Sequence, residues 1–126
     1  MSVVLDASAL LAFFLGEPGS DAVRAVLDDA LINTVNLSEI YATAVEKGVD
    51  VEAVRNSVTA LSIRIVPFGE THAFIAGELR KHTRRHGLSL GDRACLATAI
   101  IEKCPVITAD RIWLKVGLDM EITLIR

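Results

Sequence analysis

Hydrophobic residues fall along this chain in two kinds of run, short unbroken ones of three or four and longer ones spaced at helical intervals, and the two kinds alternate. Val3-Val4-Leu5 is the first short run, the pattern of a strand buried on both faces, and Asp6 ends it. Ser8 then reads as the cap of a helix over residues 9–15, closed by Gly16 with Pro18 just beyond. That helix is apolar almost all round, so it is either deeply buried or covered on one face by another chain. Ser20 starts a second helix, with Ala22, Val23, Val26, Leu27 and Ala30 on one side and Asp21, Arg24, Asp28 and Asp29 on the other.

Residues 32–35 read as a second strand. Asn36-Leu37-Ser38-Glu39 follows with the spacing of a capping box, an acid three residues after the cap, and Ile40, Tyr41, Ala44 and Val45 carry an apolar face to a stop at Gly48. Asp50 caps a helix that turns Val51, Val54, Val58 and Leu61 to one side. Residues 62–66 are an edge strand or an extended connection before Pro67, and residues 71–86 a long helix with Phe74, Ile75 and Leu79 inward. Ser89 and Asp92 form a second capping box ahead of Ala94, Leu96, Ala97, Ile100 and Ile101, and Lys103 closes that run. Residues 106–109 make another buried strand ending at Asp110, residues 111–114 a helical turn, and residues 121–125 a last strand.

Strands alternating with helices, without repeat, linker or low-complexity stretch, predict one α/β domain over residues 1–126 with a mainly parallel central sheet. The composition is 52% hydrophobic, yet the longest apolar run, residues 9–15, is far short of the roughly 18 residues that span a bilayer. No membrane association is expected. Cys95 and Cys104, the two cysteines, are placed in one helical segment and point in different directions, so they make neither a zinc site nor a disulfide and read as small core residues. Nothing at the start resembles a secretory signal, and a reduced, cytoplasmic protein is expected.

The formal net charge of −3 gives no overall attraction to nucleic acid; a polyanion partner needs a local basic patch or metal ions. One basic patch is present: Arg80, Lys81, Arg84 and Arg85, with His82 and His86 beside them. It either contacts phosphates or complements a helix C-terminus.

In a parallel sheet all strand C-termini share one edge, and ligands bind in the crevice outside it. Asp6 and Asp110 end strands there, Glu39 opens the helix after a strand, and Asp92 joins them if its helix entrance turns to that side. Four carboxylates brought together repel one another unless a cation is present. An oxygen-only set without Cys or a placed His selects Mg²⁺ or Mn²⁺ over zinc, and such a site activates water for attack at phosphorus. No Ser, Cys or His constellation competes for the role, and no Gly-rich phosphate loop of the GxxxxGK[ST] kind is present.

Four segments carry a resemblance. Val4-Leu5-Asp6-Ala7-Ser8-Ala9-Leu10-Leu11, Asn36-Leu37-Ser38-Glu39, Leu88-Ser89-Leu90-Gly91-Asp92-Arg93-Ala94-Cys95-Leu96 and Thr108-Ala109-Asp110-Arg111-Ile112-Trp113 resemble the acidic motifs of PIN domains, in that family's order and approximate spacing. The match is nearest to the VapC-type ribonuclease toxins of type II toxin–antitoxin systems and runs from residue 3 to the last strand. The resemblance implies a three-layer α/β/α fold, Mg²⁺- or Mn²⁺-dependent cleavage of RNA, a homodimer, and assembly with a VapB-type antitoxin into a heterotetramer or larger. It places Asp6, Glu39, Asp92 and Asp110 as metal-site and catalytic carboxylates and Ser8 and Thr108 as the hydroxyls that orient them. It also implies that the apolar first helix is covered by antitoxin. Two other readings remain open, a PIN domain that binds RNA or protein without cutting, and a small phosphatase of another α/β family. The Asp-x-Asp motif of one such phosphatase fold lacks its second acid in Asp6-Ala7-Ser8.

Overall fold

Val4 lies at the middle of the sheet, its strand paired on both sides. The structure, a computed structural model, describes residues 1–126. Strand β1 (Val3–Leu5) runs parallel to β2 (Ala30–Asn33), with Val4 opposite Leu31, and parallel to β4 (Val106–Thr108), with Val4 opposite Val106. β3 (Arg64–Val66) extends the sheet beyond β2 and β5 (Ile122–Leu124) beyond β4, giving the order β3-β2-β1-β4-β5 with every pairing parallel. The stretch before Pro67 is thus an edge strand.

Because successive side chains of a strand point to opposite faces, one short run feeds two cores. Val3, Leu5, Ile32 and Ile107 pack with Ala9 and Leu10 of α1 (Ala7–Leu15), Val23 of α2 (Ser20–Arg24) and Ile40 of α3 (Thr34–Glu46). Val4, Leu31, Val66 and Val106 pack on the other side with Leu79, Trp113, and Cys95, Leu96 and Ala99 of α7 (Leu90–Glu102). The result is three layers, helices on both faces of the sheet. Helices α4 (Val51–Ala60), α5 (Glu70–Glu78) and α6 (Arg80–Thr83) complete it. No helix is long and apolar enough to cross a membrane.

Several element ends differ from the sequence pattern for identifiable reasons. The helix begun at Ser20 stops at Arg24, a 3-10 turn covers Leu27–Asp29, and β2 begins at Ala30 rather than Ile32. Asp28 and Asp29 are poor residues for a helix interior, and Ala30 and Leu31 pair with Val3 and Val4 instead. α3 accordingly starts at Thr34, inside the expected strand, and its cap is Asn33, whose Oδ1 accepts from Val35 N at 2.9 Å. Asn36-Leu37-Ser38-Glu39 is therefore no capping box. Ser8 does not cap α1 either: Asp6 does, its Oδ1 accepting from Ala9 N at 2.9 Å.

The expected helix over residues 71–86 is broken into α5, α6 and a 3-10 turn over Arg84–His86. Its inward stripe is His72, Ala76 and Leu79, which leaves Phe74 on the far side, 70% exposed rather than inward. A histidine and an alanine hold positions where a pattern count looks for large apolar groups. Cys104 lies just beyond α7, not within it.

Candidate active site

The strand order reverses between β1 and β4, since β1 leads outward to β2 and β4 outward to β5, and a crevice opens past their carboxyl ends at such a point. Asp6 directly follows β1 and Asp110 follows β4 by two residues. Asp6 is only 4% exposed, and its carboxylate is held by three donors. Ser8 Oγ lies 2.8 Å from Oδ1 and 2.9 Å from Oδ2, Ala9 N donates to Oδ1, and Thr108 Oγ1 donates to Oδ2 at 2.7 Å. The two hydroxyls are fixed in turn, Ser8 Oγ accepting from Ala109 N and Thr108 Oγ1 from Asp110 N, both at 3.0 Å. Asp110 caps the 3-10 turn Arg111–Lys115 by accepting from Ile112 N at 3.0 Å.

The other two acids come from helices. Ser89 caps α7 by accepting from Asp92 N at 3.1 Å, and Asp92 Oδ2 accepts in return from Ser89 N at 2.9 Å, the reciprocal box that the spacing predicts. Glu39 stands on the second turn of α3, half-buried, with Oε1 accepting from Asn36 Nδ2 at 3.1 Å. Asn36 also donates to Gly91 O at 2.9 Å, which fastens α3 to the first turn of α7 and brings Glu39 against Asp92.

All four acids share one electrostatic neighbourhood. Burial pushes Asp6 up to about 6, against the hydrogen bonds from Thr108, Ala9 and Ser8, and the charge of Asp92 adds to the rise. Glu39 is raised by burial and then by Asp92; Asp92 is raised by burial and then by Asp110, against its bonds to Ser89 and the charge of Arg93. Asp92 is thus the node that couples to each of the other three. Beneath them lies Cys95, whose thiol is held well above its ordinary range by complete burial and by the charges of Asp6, Asp92 and Glu39. That keeps it an inert core group.

No three acidic, histidine or cysteine side chains form a ready-made coordination cluster. Each acid has turned one or both oxygens to protein donors, while Oδ1 of Asp92, Oε2 of Glu39 and Oδ2 of Asp110 accept nothing from the protein. A donor set of oxygens alone, with Asp6, Glu39 and Asp92 raised in pKa by burial first and by neighbouring carboxylates next, fits a hard divalent cation. Mg²⁺ in particular takes one or two carboxylates directly and keeps its waters, so it requires no tight cage. The basic residues Arg80 and Lys81 on α6 and Arg84 and Arg85 on the following turn are all exposed. Lys81 lies 3.8 Å from Glu78.

Two residues that shape the site were not apparent in the pattern. Asn36 looks like a cap from its spacing, and Gly91 looks like ordinary turn punctuation ahead of a helix. Their roles come from the packing of α3 on α7, which brings together positions 55 apart in the chain.

The fold recurs among solved structures. A toxin–antitoxin complex from Klebsiella pneumoniae is 20% identical, with 99% of this chain and 98% of that one covered and a TM-score of 0.81. DNA-bound VapBC from Salmonella typhimurium is 16% identical, with 100% and 99% covered and a TM-score of 0.76. FitAcB from Neisseria gonorrhoeae is 23% identical, with 96% of each chain covered and a TM-score of 0.72. No curated protein matches the chain. At these identities the likeness is one of fold, and the family is decided by sequence: the model of the PIN domain matches residues 3–118, a span that holds all four acids, and the chain belongs to the PIN domain family.

Proposed function

We propose that this PIN domain is a divalent-metal-dependent endoribonuclease of the VapC type, the toxin of a type II toxin–antitoxin pair. The observation that carries the reading is the coupling of Asp92 to Asp6, Glu39 and Asp110 in the crevice between β1 and β4. Mg²⁺ or Mn²⁺ held by these four carboxylates would supply charge neutralisation at a scissile phosphate and a water acidic enough to attack phosphorus at neutral pH.

The chain's own residues prepare that chemistry. Ser8 and Thr108 hold Asp6 in one orientation, Asn36 holds Glu39, and the capping box holds Asp92, so each carboxylate is oriented by a neighbouring donor. The exposed cations Arg80, Lys81, Arg84 and Arg85 serve to attract the RNA backbone, a task the net charge of −3 leaves to a local patch.

Solved structures of this fold include a toxin–antitoxin complex and DNA-bound VapBC, and a VapB-type antitoxin is the partner expected here. The surface for it is an open groove of about 310 Å³ between α1, α3 and α4, lined by Leu11, Phe14, Leu15, Ile40, Ala44 and Val54 among others. Such a groove suits the apolar face of a partner helix. α1 is thus half core and half groove, with Ala9, Leu10 and Ala12 buried and Leu15 44% exposed. A homodimer, paired with antitoxin in a heterotetramer or larger assembly, completes the reading.

The test is direct. Purified protein freed of antitoxin is expected to cut labelled structured RNA in MgCl₂ or MnCl₂ and to stop when EDTA is added. Cleavage that survives complete chelation would overturn the metal mechanism, and RNA bound but never cut would favour a PIN domain that serves as a binding module.

A further inference from the structure

We propose that Gly91 and Asn36 are positioning residues for Glu39: Gly91 provides the clearance that lets the carboxylate settle on the first turn of α7, and Asn36 clamps it there. The inference rests on the nuclease reading above.

The clearance is visible as a steric fact. Gly91 is buried, and a β-carbon built on it would lie 2.5 Å from Glu39 Cδ and 2.5 Å from Oε1, with Oε2 equally crowded. Real carbons do not approach so closely. Gly91 also has an ordinary helical backbone, without the positive φ seen at Gly16 or Gly87, so no turn geometry requires a glycine there. The reason for glycine is the acid that sits over it.

The clamp follows from the donor count of an amide. Asn36 is 1% exposed, and its Nδ2 donates to Glu39 Oε1 and to Gly91 O, which uses both N–H groups. Turning the amide over would set its oxygen against a carboxylate and a carbonyl, three acceptors with no hydrogen among them. The orientation is therefore fixed by its partners, and Oδ1 is left buried without a donor. A fully buried asparagine with an unpaired acceptor is costly to keep for packing alone. What it accomplishes is to tie the backbone of Gly91 and the carboxylate of Glu39 to one nitrogen.

These two features give Gly91→Ala an unusual expectation. The obstructing atoms belong to the far end of a flexible side chain held by one hydrogen bond, so the helix accepts a β-carbon by swinging Glu39 off Asn36, and alanine is the better helix former. The variant should fold and melt close to the wild type in EDTA, the gain in helix propensity being offset by the lost Asn36–Glu39 bond. Glu39 would nevertheless be displaced, and loss of an outer support of this kind typically lowers metal affinity or activity about 10- to 100-fold.

The experiment compares wild type, Gly91→Ala, Glu39→Gln and the double variant, by RNA cleavage in MnCl₂ and by melting temperature with EDTA and with MnCl₂. The expected result is that Gly91→Ala cuts 10- to 100-fold more slowly, gains less melting temperature from MnCl₂ than the wild type, and adds nothing to the loss caused by Glu39→Gln. Asn36→Ser, which cannot make both bonds, should show the same pattern. Wild-type cleavage and a wild-type MnCl₂ shift in Gly91→Ala would overturn the inference and leave the nuclease reading standing, as would a double variant whose losses multiply. A wild-type protein that neither cuts RNA nor gains stability from MnCl₂ would sink the nuclease reading and this inference with it.

Discussion

Thr108 donates its hydroxyl to Asp6 Oδ2 at 2.7 Å, joining the ends of two adjacent strands from positions 102 apart in the chain. The bond lies where neither partner meets water: Thr108 is fully buried and Asp6 nearly so. Even with this donor, Ser8 Oγ and Ala9 N all favouring the carboxylate, burial wins and Asp6 is pushed up to about 6. Without a cation, the crevice is a place where a negative charge is disfavoured.

A pH dependence of stability follows, opposite to that of a salt-bridged aspartate. Between about pH 4 and pH 6 the folded protein keeps a proton on Asp6 that the unfolded chain has released. The folded state binds more protons, so the unfolding free energy falls as pH rises through this window. A rise of about two units corresponds to ~3 kcal/mol at most. Glu39 and Asp92, also raised, act in the same direction. Urea unfolding in EDTA from pH 4.5 to 7.5 should show a steeper decline for the wild type than for Asp6→Asn, which removes the titrating group; parallel curves would refute the placement of Asp6 as a desolvated acid.

The basic residues admit a separate test because none of them touches the acids. Changing Arg80, Lys81, Arg84 and Arg85 together to Ala should weaken RNA binding, and should flatten the plot of log affinity against log salt by up to about 3, at roughly 0.7 per phosphate contact on a single strand. Lys81, already beside Glu78, would contribute least. An unchanged slope would return the cluster to solvated surface. Metal-dependent cleavage at saturating RNA should persist in the variant, since its carboxylates are intact.

How much of this was legible in the chain depended on the distance over which each feature is determined. The box of Ser89 and Asp92 is local, three residues and four backbone groups, and it forms as its spacing predicts. Asp6 and Asp110 are legible as acids that end apolar strands, and parallel pairing then sets them on one edge. The spacing sets Glu39 at the right edge but through the wrong geometry, because two asparagines, Asn33 and Asn36, both carry the chemistry of a cap and only the pairing of β2 decides which one serves. Gly91 and Asn36 could not be read at all. A glycine kept clear for a side chain 52 positions away leaves no periodicity, and a buried amide is recognised only once both of its partners are in place.

Asp92 combines two roles that a single substitution can separate. Its Oδ2 accepts from Ser89 N, and asparagine retains an oxygen able to accept the same bond, so Asp92→Asn removes the charge while leaving the cap. Loss of a negative charge near a helix N-terminus costs about 0.3–1 kcal/mol where nothing opposes it. Here burial opposes it first and the charge of Asp110 next, and the two raise the Asp92 pKa despite the capping bonds and Arg93. A raised pKa means that the folded protein favours the neutral form, so at pH 7 in EDTA the asparagine variant should be as stable as the wild type or more stable. Divalent cation should reverse the ranking. At a hundredfold excess over its dissociation constant Mg²⁺ adds about 2.7 kcal/mol to a protein that binds it only when folded, and Asp92→Asn should receive much less of this while losing cleavage. Melting curves of both proteins in EDTA and in MgCl₂, read beside an RNA cleavage assay, decide the matter: a variant that melts lower without metal, responds to Mg²⁺ as the wild type does and still cuts RNA would leave Asp92 as a helix cap and nothing more.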